Sequence, residues 1–143
     1  MRLTLPLFAL LAVSGLSIAA VPATCANPCG LQGSALGFVT PVAIVTSGST
    51  VSWTALDITH VNADGSGIQV TDTCFRVTYS NTAASTPVTL TIVGSELQAT
   101  YDVGGVPTTS TCATAKALPD GSFALPYYCK LHPEMHGLIV VEP

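Results

Sequence analysis

Charge is scarce in this chain of 143 residues: four Lys or Arg and eight Asp or Glu make up 8% of it and leave a formal net charge of -4 at pH 7. Once Arg2 is assigned to an N-terminal leader, the cations reduce to Arg76, Lys116 and Lys130. No basic stretch is left to neutralise a phosphate backbone, which excludes nucleic acid as a partner. Disorder is excluded too, because it goes with low hydrophobicity and high charge, whereas 48% of this chain is hydrophobic. Helical periodicity is nowhere sustained long enough to mark a helix. Asn-x-Ser/Thr sequons are also absent, so N-glycosylation is not expected.

Only one long apolar run exists. It extends from Leu3 to about Ile18, behind Arg2 and ahead of the small residues Ala19 and Ala20, and reads as a cleaved secretory signal over residues 1–20. Pro6, Gly15 and the length of the run argue against a retained anchor helix. Cleavage after Ala19, Ala20 or Ala23 is compatible with the residues, and Thr24 before Cys25 is a poor match to a lipoprotein signal. The expectation is a secreted or periplasmic protein with no transmembrane span after signal removal. Length sets one domain as the default, with an N-terminal extension over 21–36 and the folded domain over 37–143.

Turn residues punctuate the remainder into short alternating segments, an all-β pattern. The spacing predicts strands at Gly37 to Val45, Thr50 to Leu56, Gly67 to Tyr79, Thr86 to Val93, Glu96 to Val103, Ser122 to Cys129 and Gly137 to Val141. Thr108 to Thr111 reads as an exposed loop. About seven such strands suggest a sandwich, which closes a core in roughly 100 residues.

The five cysteines are an odd number, so in an oxidising compartment at least one thiol lacks an intramolecular partner. Cys129 is the natural odd one out. The other four, Cys25, Cys29, Cys74 and Cys112, allow three connectivities, and the favoured one pairs Cys25 with Cys29 and Cys74 with Cys112.

The reason to single out Cys129 is its company: Cys129-Lys130-Leu131-His132-Pro133-Glu134-Met135 packs a thiolate, an imidazole and a thioether into one short stretch. Soft thiolate and thioether beside imidazole suit copper, and two histidines, one cysteine and a long axial methionine make the electron-transfer arrangement. His60 is the only upstream candidate for the second imidazole, since His136 adjoins Met135. The candidate ligands are therefore His60, Cys129, His132 and Met135. Plainer roles stand beside these: a surface histidine for His60, a loop cap for His132, a gap-filling core methionine for Met135, a disulfide or buried hydrophobe for Cys129. Phe123, Leu125, Tyr127 and Cys129 alternate along one strand, so Cys129 should point inward with the core. His136 is read as a surface residue.

Cys129-x-x-His132-x-x-Met135, followed by Gly137 and an apolar closing strand, together with Val51-Ser52-Trp53 leading through Asp57 to His60, resembles the cupredoxins, the small blue copper proteins. The short ligand loop is most similar to amicyanin and the plastocyanin-type domains. The resemblance implies an eight-stranded Greek-key sandwich or barrel, one mononuclear type 1 copper and single-electron shuttling rather than catalysis. It also implies that redox partners, a donor and an acceptor, dock near His132 and that the chain acts as a monomer. Many members place Asn, Thr or Ser directly after the upstream histidine; here Val61 follows, with Asn62 one further on. The long segment between His60 and Cys129 implies an extra hairpin or loop carrying Cys74 and Cys112. Copper storage or delivery, and a metal-free interaction domain, are the alternatives.

Overall fold

Inward-pointing residues at every second position dominate the chain, and the result is an all-β sandwich, as the sequence predicts. The computed structural model describes residues 20–64, 66–80 and 86–143; the signal expected over 1–20 lies almost wholly outside them. Within these residues the chain forms β1 (Ala23–Thr24), β2 (Cys29–Ser34), β3 (Gly37–Phe38), β4 (Val42–Thr46), β5 (Ser49–Ala55), β6 (Ser66–Thr71) and β7 (Arg76–Ser80). It continues with β8 (Val88–Val93), β9 (Glu96–Val103), β10 (Val106–Thr111), β11 (Lys116–Ala117), β12 (Phe123–Cys129) and β13 (His136–Glu142). A single 3-10 turn, Ile58–His60, follows β5.

One sheet has seven strands in the order β1-β4-β13-β12-β6-β7, with β11 also paired to β12, and the other has six in the order β10-β9-β8-β5-β2-β3. Both are mixed: β4 runs parallel to β1 and β13, β2 runs parallel to β5, and the other pairings are antiparallel.

The strand count exceeds the expected seven or eight for identifiable reasons. The predicted Gly37 to Val45 strand is broken ahead of Val42 by Pro41, which has no N–H to give a ladder. The predicted Gly67 to Tyr79 strand is a hairpin, turned at Asp72, whose Oδ1 accepts the Cys74 N–H at 2.9 Å. Residues 21–36, expected as an extension, supply β1 and β2, and Cys29 and Leu31 of β2 lie in the core. Thr108 to Thr111, expected as a loop, belong to β10, an edge strand paired throughout with β9.

The core lies between the sheets. Val51, Trp53 and Ala55 of β5, Phe123, Leu125, Tyr127 and Cys129 of β12, and Ile139 and Val141 of β13 all face it. Tyr127 stacks edge-on to Phe38 and Trp53, with ring centroids 4.9 and 5.3 Å away. Its phenol is pushed well up by burial, so the ring stays neutral. Each large apolar side chain buried here contributes roughly 1.5–3 kcal/mol.

Two disulfides clip the sheets together, in the favoured pairing: Cys25–Cys29 and Cys74–Cys112. The first joins the segment after β1 to β2, and the second joins the β6–β7 turn to the residue after β10, so each spans both sheets. The long His60 to Cys129 segment, expected to add one hairpin or loop carrying both cysteines, instead places Cys74 in the turn of the β6–β7 hairpin and Cys112 just after the β9–β10 hairpin.

Candidate metal centre

At one end of the sandwich the chain must cross from β5 in the six-stranded sheet to β6 in the seven-stranded sheet. Asp57 opens the crossing: its Oδ1 accepts the Thr59 N–H at 3.0 Å and caps the 3-10 turn. Aspartates recur at the turns of this chain. Asp64 and Asp120 accept from the backbone N–H two residues on, at 2.9 and 3.0 Å, and from the Ser hydroxyl of the same residue. The local Asx turn is the physical reason. His60 closes the 3-10 turn and is 2% exposed.

At the same end β12 runs out at Cys129. The Cys129 N–H donates to Met135 O at 3.0 Å, and the Met135 N–H donates to His132 O at 2.8 Å. The second bond closes a β-turn with Pro133 at its second position, where its fixed φ is favoured. Met135 is thereby folded back beneath the loop, while Pro133 and Glu134 project outward. Lys130 N–H donates to Gln69 O at 2.7 Å, so the loop is also fixed to β6.

These elements bring the four sequence-predicted residues together. Cys129 is fully buried and is the free cysteine of the chain's five. One ligand atom from each of His60, Cys129 and His132 lies within 4.8 Å of the other two. His60 Nε2 is 2.9 Å from Met135 Sδ, across 75 residues of sequence. The His60 and His132 rings meet edge-on at 4.7 Å. His132 is half-buried, and its Nδ1 is a buried nitrogen with no protein hydrogen-bond partner. A buried, unpartnered nitrogen is costly unless something accepts its lone pair or proton. A buried free thiol, two imidazoles and a thioether, one of them with that orphan nitrogen, fit a soft-to-borderline cation such as copper.

The other nitrogen of His60 is engaged. Its Nδ1 lies 3.0 Å from Asp57 Oδ1 and 3.1 Å from Thr59 Oγ1. The Thr59 hydroxyl donates to that same carboxylate oxygen, and this bond does most to hold the Asp57 carboxyl at about 2, below its ordinary range. The sequence places Asp57 in the stretch leading to His60 without giving it a role; the structure gives it one, as the partner of the His60 Nδ1. Asn62, adjacent to the departure at Val61, bonds within its own loop: its amide donates to Ser66 Oγ at 2.8 Å. His136 is exposed, with its ring 6.1 Å from that of Tyr128.

Gly33 was also missed. It lies near the end of β2, against Met135, and an added Cβ would lie 2.6 Å from Ile68 Cδ1 and 3.1 Å from Met135 Cε. A side chain here would press first on Ile68 and then on Met135. A cavity of about 520 Å³, lined by Leu36, Phe38, Thr59, His60, His132 and Met135 among others, opens beside the cluster.

No protein-family model and no curated protein matches the chain. Among solved structures the chain is similar to a reduced Cu(I) form, at pH 4, of an amicyanin mutant. That likeness has 18% sequence identity, covers 79% of this chain and 80% of that chain, and has a TM-score of 0.35. The functional reading therefore rests on the site's own residues.

Proposed function

We propose that the mature chain is a cupredoxin-like single-electron carrier, not an enzyme, that holds one copper ion through His60, Cys129, His132 and Met135. The observation that carries this reading is the convergence of the chain's free thiol with two imidazoles and a thioether at a buried point, while the remaining cysteines are paired as disulfides. Copper held by these residues would supply a one-electron couple, which the Met135 thioether and the environment of the Cys129 sulfur would tune.

The protein residues do the rest. Cys129, on a rigid strand end, is shielded from water and oxidants by its burial. The loop closed by the Cys129–Met135 and Met135–His132 backbone bonds keeps the donors in place, so little rearrangement accompanies a change of charge. His132, half-buried, is the residue through which a donor and an acceptor dock. Apolar side chains stand exposed beside the cluster, with Leu36 100% and Ile58 86% accessible, and suit transient contacts with partner proteins. Two disulfides accord with a secreted or periplasmic setting. Among the described residues no helix is long and apolar enough to cross a membrane.

The cavity favours a second reading, a copper store or delivery protein, because it is lined by three of the four donors, His60, His132 and Met135, and so offers a face for exchange while Cys129 stays buried. Metal analysis with voltammetry separates the two. A carrier gives one copper per chain and a reversible one-electron wave; a store gives copper with no reversible wave; absence of copper after loading contradicts both.

A further inference from the structure

A row of four side chains crosses the outer face of the seven-stranded sheet. Tyr128 of β12 pairs in register with His136 of β13 on one side and with Thr71 of β6 on the other, and Thr71 pairs with Arg76 of β7. Directly opposed residues of antiparallel strands share a face. Tyr127 and Cys129 point into the core, so Tyr128 and its row point away from it. The surface there is not flat. A cavity of about 400 Å³, within the range of small-molecule sites, takes in the whole row, with Pro126 and Tyr128 contributing apolar surface and Arg76 a cation. One wall is built from the β6–β7 turn and the segment after β10, which the Cys74–Cys112 disulfide holds together. Hydroxyl bonds brace the same wall: Thr73 Oγ1 donates to Thr114 Oγ1 at 3.2 Å, and Thr114 Oγ1 donates to Asp72 Oδ2 at 2.6 Å. Asp72 is the carboxylate of the lining, and its other oxygen accepts the Cys74 N–H at 2.9 Å, so it is satisfied within the wall. Among the described residues no carboxylate pairs with Arg76, whose side chain is exposed.

We propose that this groove is a binding site for a small aromatic carboxylate, whose ring lies against Tyr128 and Pro126 and whose carboxylate is held by the Arg76 guanidinium. A guanidinium presents a planar fork of donors that matches a carboxylate, and an aromatic ring accepts another offset or edge-on. Tyr128 and Arg76 stand two strand spacings apart, roughly 10 Å, a distance that the long arginine side chain shortens to the reach of a ring carrying its acid on a short linker. His136, its ring 6.1 Å from that of Tyr128, lines the far end. The inference does not depend on the copper centre, because Cys129 faces inward from β12 while Tyr128 faces outward.

The test titrates the nitrogen-15-labelled mature protein with phenylpropionate and follows the backbone amide shifts. Saturable shifts should centre on Thr71, Arg76, Tyr128 and His136. Phenylpropanamide keeps the ring and loses the charge, and it should bind about tenfold more weakly, the worth of a charge-assisted hydrogen bond. Arg76→Gln should weaken the acid by about the same factor, so that acid and amide bind alike. Because Arg76 is exposed and unpaired, this variant should keep the wild-type urea midpoint, which separates lost binding from lost folding. Tyr128→Leu should weaken both probes, by about fivefold, through the lost ring contact. No saturable shift in the millimolar range, shifts centred on His60 and His132 instead, or equal affinity of the wild type for acid and amide would each overturn the inference.

Discussion

Two glycines on one strand make a controlled test of the packing beneath the candidate site. Gly30 and Gly33 both lie in β2, but Gly30 is exposed with nothing within 4 Å of an added Cβ, whereas a Cβ on Gly33 meets Ile68 Cδ1 at 2.6 Å and Met135 Cε at 3.1 Å. Neither glycine has a positive φ, so alanine fits both backbones. Replacing a strand-interior glycine by alanine gains roughly 0.5–1 kcal/mol from the unfolded chain. Gly30→Ala should show that gain. At Gly33 the gain is opposed by overpacking, typically about 1–3 kcal/mol, because Ile68 is fully buried and cannot withdraw without disturbing its neighbours. Gly33→Ala should therefore be destabilised by about 0.5–2 kcal/mol, opposite in sign to Gly30→Ala. Urea denaturation of the metal-free variants reads both, provided the m-value is unchanged. In the copper-loaded protein, Gly33→Ala but not Gly30→Ala should also shift the reduction potential, since it pushes on Met135. Equal midpoints for the two variants would mean that Ile68 and Met135 yield freely to the added methyl, contrary to this packing.

Gly137 faces Tyr127 across the β12–β13 ladder, and an added Cβ would overlap the Tyr127 ring, which Phe38 and Trp53 prevent from retreating. Gly137→Ala should cost about 3 kcal/mol or more in urea, and adding Tyr127→Ala should recover part of that loss, giving a non-additive cycle. The disulfides close loops of very different length, with sequence separations of 38 and 4. Loop entropy then predicts a loss of roughly 4 kcal/mol for Cys74→Ser with Cys112→Ser and roughly 2 kcal/mol for Cys25→Ser with Cys29→Ser. Denaturant midpoints in the reverse order would contradict this. Asp57, Asp64 and Asp120 have depressed native carboxyl pKa values, chiefly through hydroxyl bonds from Thr59, Ser66 and Ser122, with Asp57 at about 2. The native state binds these protons less readily than the unfolded state, so their stabilisation is complete above the unfolded carboxylate value of about 3.9 and is lost as pH falls toward 2. A urea midpoint of the metal-free protein that stays flat across that interval would contradict the assignment.

Much of the architecture was legible because burial alternates with strand periodicity. Phe123, Leu125, Tyr127 and Cys129 declared an inward face, and the structure buries all four. His60 was reached by elimination among three histidines. Other features depend on backbone pairing, which side-chain polarity does not encode. Thr108 to Thr111 looked like a loop because they are polar, yet β10 needs only main-chain bonds to β9 to be an edge strand. Cys29 to Ser34 looked like part of an extension because Gly30 and Gly33 weaken any strand pattern, but the parallel partner β5 supplies the ladder. The contact of Gly33 with Met135 joins residues far apart in sequence, and no local pattern foretells it.

The proposed function stands or falls on Cys129 as a copper-bound thiolate. The most direct test is the visible absorption spectrum of the copper-loaded mature protein and of its Cys129→Ser variant. An intense thiolate-to-copper charge-transfer band should appear in the first and be missing from the second. Absence of the band in the wild type, or a band that survives Cys129→Ser, would contradict that assignment.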